Sequence, residues 1–321
     1  MLRRSWRLVV AFAFAIACGD SLPASGDDPQ LPPKGDNDGG AEAGTQTGED
    51  AASDAGGDVV NPCTPDLPYG DPEPLANFDQ LGSVSSVRLE RSTNNTFAFV
   101  SADLGSGTFF DLVEVPFPLP PSIVPVSMRS TQNEEEHPAP LADDRKVYYD
   151  EPIDAGTLRI FSATRMMPGQ KLESTTLEDI PVGGGTSVMQ PWSVAGTDAL
   201  YFTVRTGATT TNIWRAARNG GGTWTSEAQI TGAFEKTHPV VSDDELVMFL
   251  ARSETGTRDV FYATRTSTSE PWSGPFPLPG NVNLDGKDEE PSWISPDRCT
   301  LFFTSNRGGA SRAYKIVFTH L

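Results

Sequence analysis

Two of the three histidines, His137 and His238, stand immediately before a proline, and Gln190 and Glu290 hold the same place before Pro191 and Pro291. The four prolines (138, 191, 239 and 291) lie 53, 48 and 52 residues apart. Imidazoles and carboxylates gathered from such equivalent positions could hold a cation, with His137 and His238 at its centre, or a small polar ligand. Glu136 and Glu289 stand one step earlier in their copies. Glu136, Glu235 and Glu290 also raise the possibility of glycan cleavage, which needs two carboxyl groups at a defined separation. The competing explanation is that each side chain caps backbone groups where a strand begins. The chain offers no nucleophile elbow, no HExxH, no CxxC pair and no phosphate-binding glycine loop between strand and helix. We therefore expect no cofactor, no resident metal and no catalytic residue. His320, near the C-terminus, stands outside the pattern.

What positions these residues is a repeat. The clearest copy runs Gln190-Pro191-Trp192-Ser193-Val194, then Asp198 to Thr203, Asn212 to Arg218, a glycine-rich turn and Trp224. His238 to Ser242, Leu246 to Leu250, Asp259 to Arg265 and Trp272 form another copy, and Glu290 to Trp293, Thr300 to Ser305 and Ala313 to Val317 the last. An earlier copy begins at His137, and a degenerate first one keeps Thr96 to Ser101 and Phe110 to Val115 but lacks the proline. Aromatic and β-branched runs between turn residues are strand chemistry. A period near 50 residues with about four strands per unit marks β-propeller blades. Unrelated hairpins of a β-sandwich would not repeat the same order of proline, strand, strand and tryptophan. The expectation is an all-β, five-bladed propeller over residues 76–321.

Pro291 to Ser295, Pro296-Asp297 and Leu301 to Gly309 resemble the P-x-x-S-P-D-G … l-x-F-x-S-x-R-x-G signature of the WD-like repeat in TolB-like propellers. The resemblance spans roughly residues 83–321 and is weakest in the first blade. It implies that the residue before each anchor proline approaches the central channel, which would ring the mouth with Ser86, His137, Gln190, His238 and Glu290. Ala217 to Trp224 resembles the Asp box of sialidases, a structural element of blade hairpins. The recurrent Ala-x-Arg (163–165, 216–218, 263–265) and Trp192, Trp214, Trp224, Trp272 and Trp293 read as packing between blades.

The N-terminal quarter has another composition. Arg3, Arg4 and Arg7 precede a ten-residue apolar run, Leu8 to Ala17, too short to span a bilayer, and then Cys18. This resembles a bacterial lipoprotein signal with Cys18 as the lipidated residue, although Ala15 stands where leucine is usual; an ordinary cleavage site is the alternative. Residues 19–75 read as a disordered acidic linker. Between Gly19 and Pro62 they carry ten acids against Lys34 and no aromatic residue. Of the net charge of −19, −13 belongs to residues 63–321, which argues against nucleic acid as a partner. We expect the N-terminal strand, within Leu75 to Gly82, to complete the last blade. If Cys18 is lipidated, Cys63 and Cys299 remain, either as a disulfide stapling that closure or as buried thiols. Together these features suggest a monomeric lipoprotein of the bacterial cell envelope, lipid-anchored at the outer membrane or periplasmic face, that binds an envelope protein or a glycan.

Overall fold

The computed structural model describes residues 63–318, except for the short segments 67–68, 91–95, 105–108, 123–126, 130–133, 155, 208–209, 220–221, 232–234 and 254–255. The expected signal with Cys18, most of the acidic linker and His320 lie outside the described residues.

The described chain forms five four-stranded antiparallel sheets, the blades of a β-propeller. Blade 1 contains β2 (Ser83–Leu89), β3 (Phe97–Asp103), β4 (Asp111–Pro116) and β5 (Ser127–Arg129). Blade 2 contains β6 (Glu136–Pro140), β7 (Lys146–Asp154), β8 (Thr157–Thr164) and β9 (Ser174–Leu177). Blade 3 is β10 (Ser187–Ser193), β11 (Ala199–Arg205), β12 (Thr211–Arg218) and β13 (Trp224–Ile230). Blade 4 is β14 (Glu235–Val241), β15 (Val247–Ser253), β16 (Arg258–Thr264) and β17 (Ser273–Pro277). Blade 5 joins β18 (Glu289–Ile294), β19 (Thr300–Ser305) and β20 (Arg312–Val317) to β1 (Glu73–Pro74).

Burial follows position in the blade. All seven residues of the inner strand β10 are buried, whereas the outer strand β9 is exposed throughout. An inner strand packs on both faces, so its apolar residues run nearly without interruption, and Gln190 is carried inside among them. The blades are tied side to side by the arginines that end their third strands. Arg165, fully buried, bonds Glu90 of blade 1 at 2.8 Å, Glu114 of β4 and the Asp144 carbonyl oxygen at 2.7 Å. Arg265 makes the equivalent tie from blade 4 to blade 3, donating to Tyr201 Oη at 3.1 Å and stacking 4.3 Å over Trp272. Ala163, Ala216 and Ala263, two residues before these arginines or their blade 3 equivalent, are completely buried.

The ring closes as expected in kind, with a shift in place. The closing strand is β1, and Glu73 and Pro74 pair with Lys315 and Tyr314. Beyond it, Tyr69 bridges Phe318, with the two rings edge to face at 5.3 Å. The segment expected to be this strand instead holds a 3-10 turn, Phe78–Leu81, flanked by Asn77 at φ 66° and Gly82 at φ 73°. Two left-handed residues prevent an extended run there. Cys63 and Cys299 form a disulfide with Cα atoms 5.0 Å apart, joining the N-terminal segment to the β18–β19 hairpin.

Candidate functional site

Each inner strand carries a register irregularity. In blades 2, 3 and 4 it falls on the residue before the anchor proline and the proline itself, between Glu136 and Ala139, Met189 and Trp192, and Thr237 and Val240. Two residues there oppose one, and His137, Gln190 and His238 adopt φ of 52°, 56° and 55°. Left-handed backbone at a non-glycine residue costs roughly 1–3 kcal/mol and persists only where the surroundings hold it. The bulge re-aims all three side chains alike. In blade 5 the irregularity comes later, between Pro291 and Trp293, so Glu290 stays in register opposite Thr304.

The four side chains meet. His137 Nε2 lies 3.1 Å from His238 Nε2. Gln190 Nε2 lies 3.0 Å from that same His238 nitrogen, and Glu290 Oε2 lies 3.3 Å from it. Blades 2 and 4 are not neighbours, so a contact between their histidines must cross the axis. His137 and His238 are each 5% exposed and Gln190 7%, so these side chains form a plug.

Their partners assign the protons. The Gln190 amide oxygen accepts from the His238 backbone N–H at 3.1 Å, which turns its NH₂ towards His238 Nε2. That nitrogen therefore accepts, and the His238 proton sits on Nδ1, 2.9 Å from Thr237 Oγ1. His137 Nδ1 donates to Asp150 Oδ1 at 2.9 Å. Arg258 takes the other oxygen of Glu290. Burial opposes charge on His137, but Asp150, with help from Glu136 and Glu290, outweighs it and raises the imidazole above its usual range. Burial, then the charges of His137, Arg258 and Arg88, hold His238 well below that range. Adjacent imidazoles are thus driven to opposite charge states. Glu136, half-buried, is pushed up to about 7 by burial; His137 opposes the shift, and Asp150, Glu134 and Glu290 add to it.

The remaining candidates separate. Glu289 is fully buried and taken up by Ser305 Oγ at 2.7 Å and the Leu284 N–H at 3.3 Å. Glu235 pairs across its blade with Ser253, and Ser86 pairs with Ser101. A cation shell is a different arrangement from this one. The cluster converges on a ring nitrogen, and among the described residues no group of three or more His, Cys, Asp and Glu side chains is placed to hold a metal ion. Asp150, Thr237 and Arg258 did not emerge from the sequence, because their roles depend on strand register.

The next residues along the inner strands fill the axis. Arg88 of β2 donates to the Pro191 carbonyl and lies 4.8 Å over the Trp192 ring. Trp192 Nε1 donates to the Val241 carbonyl at 2.8 Å. Arg88, Trp192 and Trp293 leave a void of about 10 Å³, room for a single water.

No protein-family model and no curated protein matches the chain. Solved structures similar to it include TolB from Acinetobacter baumannii, at 12% identity and TM-score 0.47 over 74% of this chain and 54% of that one. The chain thus spans about half the length of that TolB. A putative TolB from Agrobacterium tumefaciens matches at 16% identity and TM-score 0.46, over 74% of each chain. An α-L-arabinofuranosidase from Lactobacillus brevis matches at 11% identity and TM-score 0.50, over 75% of this chain and 93% of that one. At such identities the shared property is the fold, and proteins named for quite different activities share it. TolB-like propellers are among the structures this five-bladed propeller is similar to.

Proposed function

We propose that the protein is a cell-envelope lipoprotein, anchored through Cys18, whose propeller binds a protein or glycan partner without catalysis. The observation that carries this reading is the filled axis. A polar plug of His137, Gln190, His238 and Glu290 is followed by Arg88 packed on Trp192, with space for one water. A glycosidase or lyase of this architecture would set its carboxylates around a chamber that admits a sugar. Here one Glu290 oxygen is committed to Arg258, and the other lies 3.3 Å from His238 Nε2 inside the plug. Recognition then falls to the blade faces and rims. The Cys63–Cys299 disulfide supports an oxidising compartment. Crosslinking in intact cells followed by pull-down of the full chain is the test. Reproducible capture of one envelope protein or glycan, with no cleavage products from polysaccharides, is expected. New reducing ends or unsaturated sugar products, abolished by Glu136→Gln or Glu290→Gln, would replace this reading with the catalytic one.

A further inference from the structure

We propose that the His137–His238 pair is an acid-operated latch on the channel mouth, closed while the two rings share one proton and opened by a second. This goes beyond the binding role above and needs no particular partner.

The geometry sets the proton capacity. Both Nδ1 atoms are engaged, His137 with Asp150 and His238 with Thr237, each at 2.9 Å. The two Nε2 atoms face each other at 3.1 Å, a distance that fits one proton between two nitrogens. The single lone pair of His238 Nε2 is shared between the His137 N–H and the Gln190 NH₂, 3.0 Å away. A proton placed on His238 Nε2 points an N–H at the donors of His137 and Gln190. It also supplies a partner for Glu290 Oε2, 3.3 Å away. The protonated ring is therefore pulled towards Glu290 and pushed from His137 and Gln190, so the plug has two arrangements.

The surrounding charges bear on this choice. Asp150 of β7, Glu136 of β6 and Glu290 of β18 favour positive charge on His137, Arg258 of β16 and Arg88 of β2 oppose it on His238, and Glu134, with Asp150 and Glu290, raises Glu136 itself. The acids stabilise the first proton on His137, and the arginines, with that proton, delay the second. Backbone strain supplies the spring. His137, Gln190 and His238 sit at φ 52° to 56°, and the Gln190 amide holds the His238 N–H while it also donates to the ring. Loss of the ring contact loosens that clasp.

Gln190 also shows that glutamine is accepted at this bulge position, so His238→Gln and His137→Gln are the variants of choice. Hydrogen–deuterium exchange of the full chain, corrected for intrinsic pH dependence, would be followed by mass spectrometry from pH 7.5 to 4.5. In the wild type, exchange in peptides covering 134–141 and 235–242 should rise about tenfold at the acid end of this range, well below the usual imidazole titration, while other strands of blades 2 and 4 hold steady. His238→Gln, which cannot take the second proton, should show no such rise. Ring titration by NMR should give two separate steps, with His238 titrating at the lower pH. His137→Gln should move the His238 step upward, because a neighbouring positive charge has gone. Equal corrected exchange at both pH values, an equal rise in His238→Gln, or a rise throughout the propeller would overturn the proposal. So would a His238 step that His137→Gln leaves in place.

Discussion

At the residue scale, a side chain before a proline is already restricted, and left-handed backbone adds a second constraint. His137, Gln190 and His238 bear both, and their hydrogen bonds to one another are what the surroundings offer in return. Glu136 shows the electrostatic side of the same crowding. Its carboxyl is raised to about 7 from 4.5, so the folded state binds that proton more tightly than the unfolded chain. The stabilisation is fully present below about pH 4.5, declines as pH rises through 7, and is gone above it. Glu136→Gln should match the wild type near pH 4.5 and exceed it at pH 8. Partial exposure reduces the difference to about 1 kcal/mol, or roughly 2–4 °C in Tm. Thermal melts at the two pH values check this, and a variant less stable at pH 8 would remove the account. The residues before the prolines were legible because they recur at a fixed place in each repeat. Asp150 was not, because only the pairing of β6 with β7 brings it opposite Glu136.

At the element scale, blade 2 is held to blade 1 through a buried ion cluster. Arg165 faces two carboxylates, and burial together with Glu114 pushes Glu90 up to about 8. Near neutrality Glu90 therefore keeps its proton, which lowers the negative charge that Arg165 has to balance. Arg165→Met removes the cation and strands that negative charge, a change that costs about 3–5 kcal/mol in buried pairs. The loss should shrink at pH 5, where a second proton can neutralise the remaining carboxylate, so urea midpoints should differ more at pH 8 than at pH 5. Equal differences would mean that the arginine acts through packing alone. The recurrent Ala-x-Arg made these ties visible in the sequence, but the acids that meet Arg165, Glu90 and Glu114, come from the preceding blade at places the repeat does not mark. The junction at Gly82 is equally strict. A Cβ there would meet the Asp103 carbonyl oxygen at 2.3 Å, at φ 73°. Gly82→Ala should lower stability by about 2 kcal/mol or more, read as a lower urea midpoint; an unchanged midpoint would show that the junction yields.

At the scale of the whole molecule, the fold was legible because a 50-residue period of short apolar runs admits few architectures. The closing strand, Glu73–Pro74, lies just before the expected segment because local left-handed turns at Asn77 and Gly82 override the likeness of that segment to other outer strands. Closure itself is slight. Two residues of β1 pair with β20, and one bridge joins Tyr69 to Phe318. Against the edge of a propeller, so short a strand resists fraying weakly. The Cys63–Cys299 disulfide spans 236 residues of sequence, and such a crosslink contributes about 2–5 kcal/mol. Its location makes the effect local as well as global, since Phe318 N donates to the Cys299 carbonyl at 2.7 Å beside the bond. Reduction, or Cys63→Ser with Cys299→Ser, should therefore lower Tm by roughly 5–15 °C. Hydrogen exchange should rise first in β1 and β20, while β11 and β15 stay protected until global unfolding. A reduced protein that melts where the oxidised one does, with β20 still protected, would mean that pairing and the Tyr69–Phe318 contact hold the ring unaided.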